Sequence, residues 1–185
     1  MREDKRAGPG RPDVGAMLLS ALMAALIAAA SQIIIPTPLV PINLALLPVF
    51  LCGFLLPRRW ALAPVALYLA MGALGLPVFA GLRGGPHVLA GPTGGYLLGY
   101  LLACGAVALL RDKVHTAAGR FLVCAAALVS CYIPGTLWLA YLTGRTVPEA
   151  LLVAVLPFLP GDALKCLAAA LLAPPLTKAA VRILK

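Results

Sequence analysis

The sequence predicts an all-α integral membrane protein with six transmembrane helices and both termini in the cytoplasm. Three observations carry that reading. Of the 185 residues, 62% are hydrophobic and 11% charged, against about 25% charged in an average globular domain. Mean hydropathy is +1.00, more apolar surface than a soluble fold of this size can hide, so the solvent is lipid. Finally, the apolar runs are parted by short links that are either basic or rich in proline and glycine.

Taken in order, residues 1–13, MREDKRAGPGRPD, are charged and rich in Gly and Pro and read as a disordered cytoplasmic tail. The remainder, 14–185, forms one membrane domain. The first apolar run, 14–35, is long enough to span a bilayer. A basic start, an apolar core and AAAS also fit a signal peptide, but the run is long for one and further spans follow. IPTPLVP (35–41) breaks the helix, because three prolines remove three backbone donors. A short second span covers 42–56, PRRW turns the chain, and a third span covers 61–76. A Gly-rich stretch follows, then a fourth span over 92–110, the polar link RDKVHTAAGR, and a fifth span over 121–142. Residues 143–160 are too long for a turn and too short to cross and return, which predicts a short interfacial helix. The sixth span runs over 161–178, with Pro174 and Pro175 predicted to kink it.

Charge sets the orientation. Twelve of the 15 Lys and Arg fall in the two tails, PRRW and RDKVHTAAGR; Arg83 and Arg145 fall on the opposite side, and Lys165 lies inside the last span. That asymmetry places both termini in the cytoplasm and the Gly-rich stretch, IPTPLVP and 143–160 on the external face. The net charge of +9 forms no stripe with interleaved aromatics, so nucleic acid is not the partner. The five cysteines all sit in apolar stretches without CxxC spacing and read as small packing residues. His87 and His115 fall on opposite faces and cannot share a metal. No internal repeat is visible, so an inverted-repeat transporter is not supported.

Two regions carry chemistry. In LPFLPGDALK (156–165), Asp162 and Lys165 are three apart on one helix face, in the first turns of a span. They read either as a capping Asp with a snorkelling Lys or as the polar floor of a ligand pocket under three converging external segments. In GPTGGYLLGY (91–100), Pro92 suits a helix start, and Gly91 and Thr93 stand where free N–H groups favour an anionic ligand group. Gly95, Gly99 and Ala103 make a small-residue stripe better suited to helix packing. No GK[ST] follows GPTGG, so the chain shows no ATP site of its own. Asn43 is polar at the external face. Tyr132, Trp138 and Tyr141 suit either interfacial belt aromatics or pocket walls, and the belt is the safer reading. In the first span Ser20, Ala24 and Ala28 line one face and Ala21, Ala25 and Ala29 the next, suited to close helix contact within the protein or with a partner.

GLPVFAG (75–81), GPTGGYLLGY (91–100) and LPFLPGDALK (156–165) together resemble the BioY family, the biotin-binding S components of energy-coupling factor transporters, over nearly the whole chain after the tail. The resemblance implies a six-helix protein in the plasma membrane that captures biotin from outside. It also implies a transmembrane coupling subunit and ATPase subunits as partners, so that ATP is used there and no cofactor by this chain. The family's AxxxA docking pattern matches Ala21, Ala25 and Ala29. Its TLQ-like stretch in the second span is replaced by Asn43, Leu44 and Ala45. On this reading Asp162 accepts the ureido N–H groups of biotin, Lys165 donates to the ureido oxygen or neutralises Asp162, Arg83 and the helix start meet the carboxylate, and Tyr96 packs the ring. The glycines of 81–100 would form a lid. The alternatives are an S component for another small vitamin, an integral membrane enzyme, for which no nucleophile–base set is present, and a scaffold without ligand.

Overall fold

The computed structural model describes residues 13–35, 40 and 42–184; of the expected tail, only Asp13 lies within them. The described residues form helices α1 (Val14–Ser31), α2 (Leu46–Leu55), α3 (Ala63–Ala73), α4 (Pro86–Ala90), α5 (Gly94–Leu110), α6 (Ala117–Thr143), α7 (Val147–Ala154) and α8 (Leu159–Ile183). Two-residue strands β1 (Ile34–Ile35) and β2 (Ile42–Asn43) pair antiparallel, with Ile34 opposite Asn43. α1, α5 with the 3-10 turn after it, α6 and α8 are long and apolar enough to cross a membrane. The second and third expected spans are shorter than the sequence predicts: α2 and α3 hold 10 and 11 residues, about half the rise that a hydrocarbon core of about 30 Å requires. The start of α2 is displaced because Ile42 and Asn43 are held in the strand pair, and Asn43 Oδ1 then accepts from Ala45 N at 3.0 Å. α3 begins late because 57–62 runs as successive tight turns, with Trp60 N to Pro57 O at 2.8 Å and Ala63 N to Trp60 O at 3.0 Å.

Local chemistry sets the other boundaries. Asp13 belongs to the fold rather than to a tail: its carboxylate caps α1 by accepting from Ala16 N at 3.1 Å. Thr116 caps α6 in the same way through Gly119 N, and Gly144, at φ +65°, ends it. α7 supplies the short helix expected within 143–160. Thr146 N donates to Glu149 Oε2 at 2.9 Å, and that backbone bond holds the carboxyl below its ordinary range. α8 takes in Pro174 and Pro175, where the sequence predicts a kink, and continues to Ile183. Pro174 removes the donor that would serve the Ala170 carbonyl, and Arg120 Nη1 approaches that oxygen at 3.5 Å from α6.

Glycine makes the α5–α6 contact possible. A Cβ at Gly95 would collide with Trp138 and one at Gly99 with Cys131, so this stripe is packing, as its spacing predicts. The five cysteines are buried and free. On α1, Ser20 and Ala24 are buried and Ala28 is half-buried, whereas Ala21, Ala25 and Ala29 face outward.

Polar contacts gather at the two ends of the bundle. At one end Arg59 pairs with Asp13 at 2.9 Å and Arg58 with Asp112 at 3.0 Å. Arg111 Nη1 closes the C-terminus of α2 by donating to the carbonyls of Gly53 (2.9 Å), Phe54 (3.0 Å) and Leu56 (2.5 Å). At the other end Gln32 Nε2 donates to the carbonyls of Val78 (3.1 Å) and Phe79 (3.2 Å), and Gln32 Oε1 accepts from Leu82 N at 2.9 Å. Ser31 Oγ donates to Val78 O at 2.6 Å.

Arg111→Gln leaves the carbonyls at the end of α2 without their cation. The expected loss is about 1.5–3 kcal/mol, the range for a hydrogen bond to a charged group, read as a lower thermal midpoint in detergent. Arg58→Gln removes an exposed ion pair and an exposed 3.4 Å bond to the Leu109 carbonyl, and should change stability by at most about 1 kcal/mol. Equal effects would show that Arg111 acts as a surface charge and not as a cap.

Candidate ligand-binding site

At the end of the bundle away from Arg111, a cavity opens among α2, α3, α5, α6, α8 and the segments joining them. α8 supplies its ionic part. Lys165 Nζ lies 2.5 Å from Asp162 Oδ1, and Tyr132 OH on α6 donates to Asp162 Oδ2. Asp162 is 1% exposed and Lys165 7%. Asp162 does not cap the helix: Phe158 holds the N-cap position, and Asp162 N already bonds to Phe158 O. Nor does Lys165 reach for solvent. Two opposite charges are held together out of water, with a phenol on the remaining carboxylate oxygen, and both face open volume.

The walls are aromatic. Tyr68 from α3 meets Phe79 edge-on, with ring centroids 5.4 Å apart and an interplanar angle of 81°. Tyr96 and Tyr100 come from α5, Tyr132 from α6 and Phe158 from the turn before α8. The tyrosines of α5 are held in place. Tyr96 OH and Thr136 Oγ1 are 3.3 Å apart, and Tyr100 OH donates to Asn43 Oδ1 at 3.4 Å. The Tyr96 ring occupies the space a Cβ at Gly135 would need, and the Phe79 ring does the same at Gly72. These glycines serve close approach and not mobility.

The cavity brings together Asp162, Lys165, Arg83, Tyr96, Thr93 and Asn43 among the residues singled out from sequence. Arg83 stands at the exposed rim, its Nε donating to Ala80 O at 3.1 Å and its backbone paired with Phe79. Gly91 is not on the wall; its carbonyl accepts from Trp138 Nε1 at 2.9 Å. α5 begins at Gly94 and not at Pro92, and Gly94 N is already bonded to Gly91 O. The helix start therefore offers fewer donors than the sequence predicts. The Gly-rich stretch is not a plain loop either. It contains α4, and Gly81 and Gly85 take positive φ, at +73° and +102°, where other residues are strained.

Sequence reasoning missed much of the wall. Tyr132, for which the belt is the safer reading over a pocket wall, lies against Asp162. Tyr68, Tyr100, Phe79 and Phe158 were not singled out. Ser31 and Gln32, which pin the 78–82 segment, were also overlooked, although two adjacent polar residues ending an apolar run were a visible signal.

The comparisons with known proteins agree with one another. The family model described as the BioY family matches residues 4–182. A protein of Thermotoga maritima named "Biotin transporter BioY" is 36% identical over 157 residues, covering 85% of this chain and 92% of that protein. A "Probable biotin transporter BioY" of Pyrococcus horikoshii is 36% identical over 155 residues, covering 84% and 91%. Among solved structures, the S-component for biotin from an ECF-type ABC transporter superposes with a TM-score of 0.84 at 25% identity, covering 93% of this chain and 95% of that one.

Proposed function

The chain belongs to the BioY family, and from that membership we propose that it is the substrate-capture component of a biotin importer in the cell membrane. It acts as a transporter component and not as an enzyme. The observation that carries the reading is the buried Asp162–Lys165 pair facing an aromatic-walled cavity.

The chemistry of biotin suits that cavity. Its ureido ring offers two N–H donors and one carbonyl oxygen, its sulfur ring is apolar, and its tail is anionic. An ionised carboxylate has about four acceptor positions. Lys165 and Tyr132 use one on each oxygen of Asp162, which leaves room for both ureido N–H groups. Lys165 then donates to the ureido oxygen while balancing the charge. The aromatic walls enclose the sulfur ring, with Tyr96 against it, and Arg83 at the rim meets the carboxylate. Thr93 and Asn43 add polar contacts along the way. The segment carrying Phe79, Ala80 and Arg83 acts as the lid.

In the membrane, the six crossing segments are α1, α2 and α3 with their flanking turns, α5, α6 and α8. The basic end of the bundle faces the cytoplasm together with both termini, as the distribution of Lys and Arg favours, and the cavity opens outside. The outward-facing Ala21, Ala25 and Ala29 form the surface for a transmembrane coupling subunit, whose ATPase partners supply the energy. Their exposure along α1 supports this, since small residues on an outer face admit a close helix.

Asp162→Asn keeps the shape of the side chain and removes its charge. Biotin affinity of the purified, folded variant should fall by roughly 10- to 150-fold, from about 1.5–3 kcal/mol per charge-assisted bond; an unchanged dissociation constant would remove Asp162 from the site. Orientation is read by membrane-impermeant thiol labelling, for which the buried native cysteines give a low background. A cysteine at Arg145 should be labelled from outside and one at Lys113 should not; the opposite pattern reverses the topology. Ala25→Leu should leave biotin binding to the isolated protein near wild type while uptake and co-purification of the coupling subunit fall. Loss of binding as well would mean that the alanine face packs within this protein.

A further inference from the structure

A second, open concavity lies at the opposite end of the bundle from the ligand cavity, between the end of α2, the 3-10 turn after α5, the start of α6 and the end of α8. Three cations converge on it: Arg111, Arg120 and Lys178. Its one carboxylate, Asp112, is already engaged by Arg58 at 3.0 Å and by Arg111 Nε at 3.6 Å. Lys178 has no ion pair or hydrogen bond among the described residues, and Arg111 uses Nη1 and Nε, so that Nη2 is without one. Thr177 adds a hydroxyl on the same wall, while Phe54, Ala173 and Val181 make the lining partly apolar.

We propose that this groove binds a phosphate group, and specifically the head group of an anionic phospholipid. A basic pocket between membrane helices is suited to such head groups, and Arg presents planar forked donors that match phosphate oxygens. The apolar lining distinguishes a lipid from a free ion, because a hydrated phosphate gains nothing from Phe54 and Val181 whereas a glycerolipid lays its chains on them. A topological charge bias accounts for the number of cations at this end but not for their convergence on one groove. The proposal requires membrane insertion and is independent of what the distal cavity binds.

The test uses the full chain in detergent, with retained lipid counted by native mass spectrometry and thermal midpoints measured as lipid is added. Phosphatidylglycerol should be retained and raise the midpoint, and phosphatidylcholine should do neither. Lys178→Gln should weaken phosphatidylglycerol binding about fivefold, the effect of one basic residue near a lipid surface. Lys113→Gln, exposed at the same end but outside the groove, should leave it unchanged, and biotin binding should be untouched by either. Arg120→Gln should weaken lipid binding too; because Arg120 also holds the carbonyls of Ala170 and His115, Lys178→Gln decides the matter if that variant fails to fold. Equal losses for Lys178→Gln and Lys113→Gln, or equal retention of the two lipids, would overturn the site. Stabilisation by inorganic phosphate alone, abolished in Lys178→Gln, would overturn the lipid assignment in favour of the free ion. Unchanged lipid retention with loss of the co-purifying coupling subunit would make the groove a protein contact.

Discussion

A carboxylate and an ammonium held 2.5 Å apart out of water set the terms for the rest of the molecule. Desolvating two ions costs several kcal/mol each, and their mutual attraction offsets that only with close geometry and further hydrogen bonds. Asp162 meets both conditions through Lys165 and Tyr132. For stability alone, a well-packed apolar pair would serve as well or better. A buried pair bordered by open volume is therefore poorly explained by packing. It places demands on its neighbours: α6 must bring a phenol to α8, and the aromatic residues of α3 and α5 must screen the pair without filling the space beside it.

Lipid imposes a second demand, since no water is available to satisfy the backbone in a bilayer core. Long-range side chains answer it where helices end early or carry proline. Arg111 serves the last carbonyls of α2, Arg120 reaches the oxygen that Pro174 leaves without a donor, and Gln32 ties α1 to the 78–82 backbone. Two of these are arginines of the basic cluster, so the residues that bias topology also complete the fold. Charge count and hydrogen-bond supply are then one feature seen twice.

The order of helices was legible because apolar runs, prolines and glycines alternate along the chain. Lengths were less so, for reasons that are not local. α2 starts late because Ile42 and Asn43 pair with β1, and α8, expected to end near 178, runs on to Ile183. In the site, Asp162 and Lys165 stood out because charge is conspicuous in an apolar run. Tyr132 and Tyr100 did not, since a tyrosine in a membrane helix looks the same in sequence whether it faces lipid or a cavity. Gly91 was drawn in by its motif, yet its carbonyl serves Trp138 outside the wall.

The clamp at Gln32 has a mechanical consequence. Its amide holds the backbone of Val78, Phe79 and Leu82, and Phe79 forms part of the cavity wall. The same α1 presents Ala21, Ala25 and Ala29 outward. A rigid rod thus has its tip fastened to one wall of the chamber and its flank turned to the surroundings, with no slack chain between. A shift of that wall pulls on the rod. By thermodynamic reciprocity, whatever grips the flank and favours one position of the rod must bias the chamber by the same free energy.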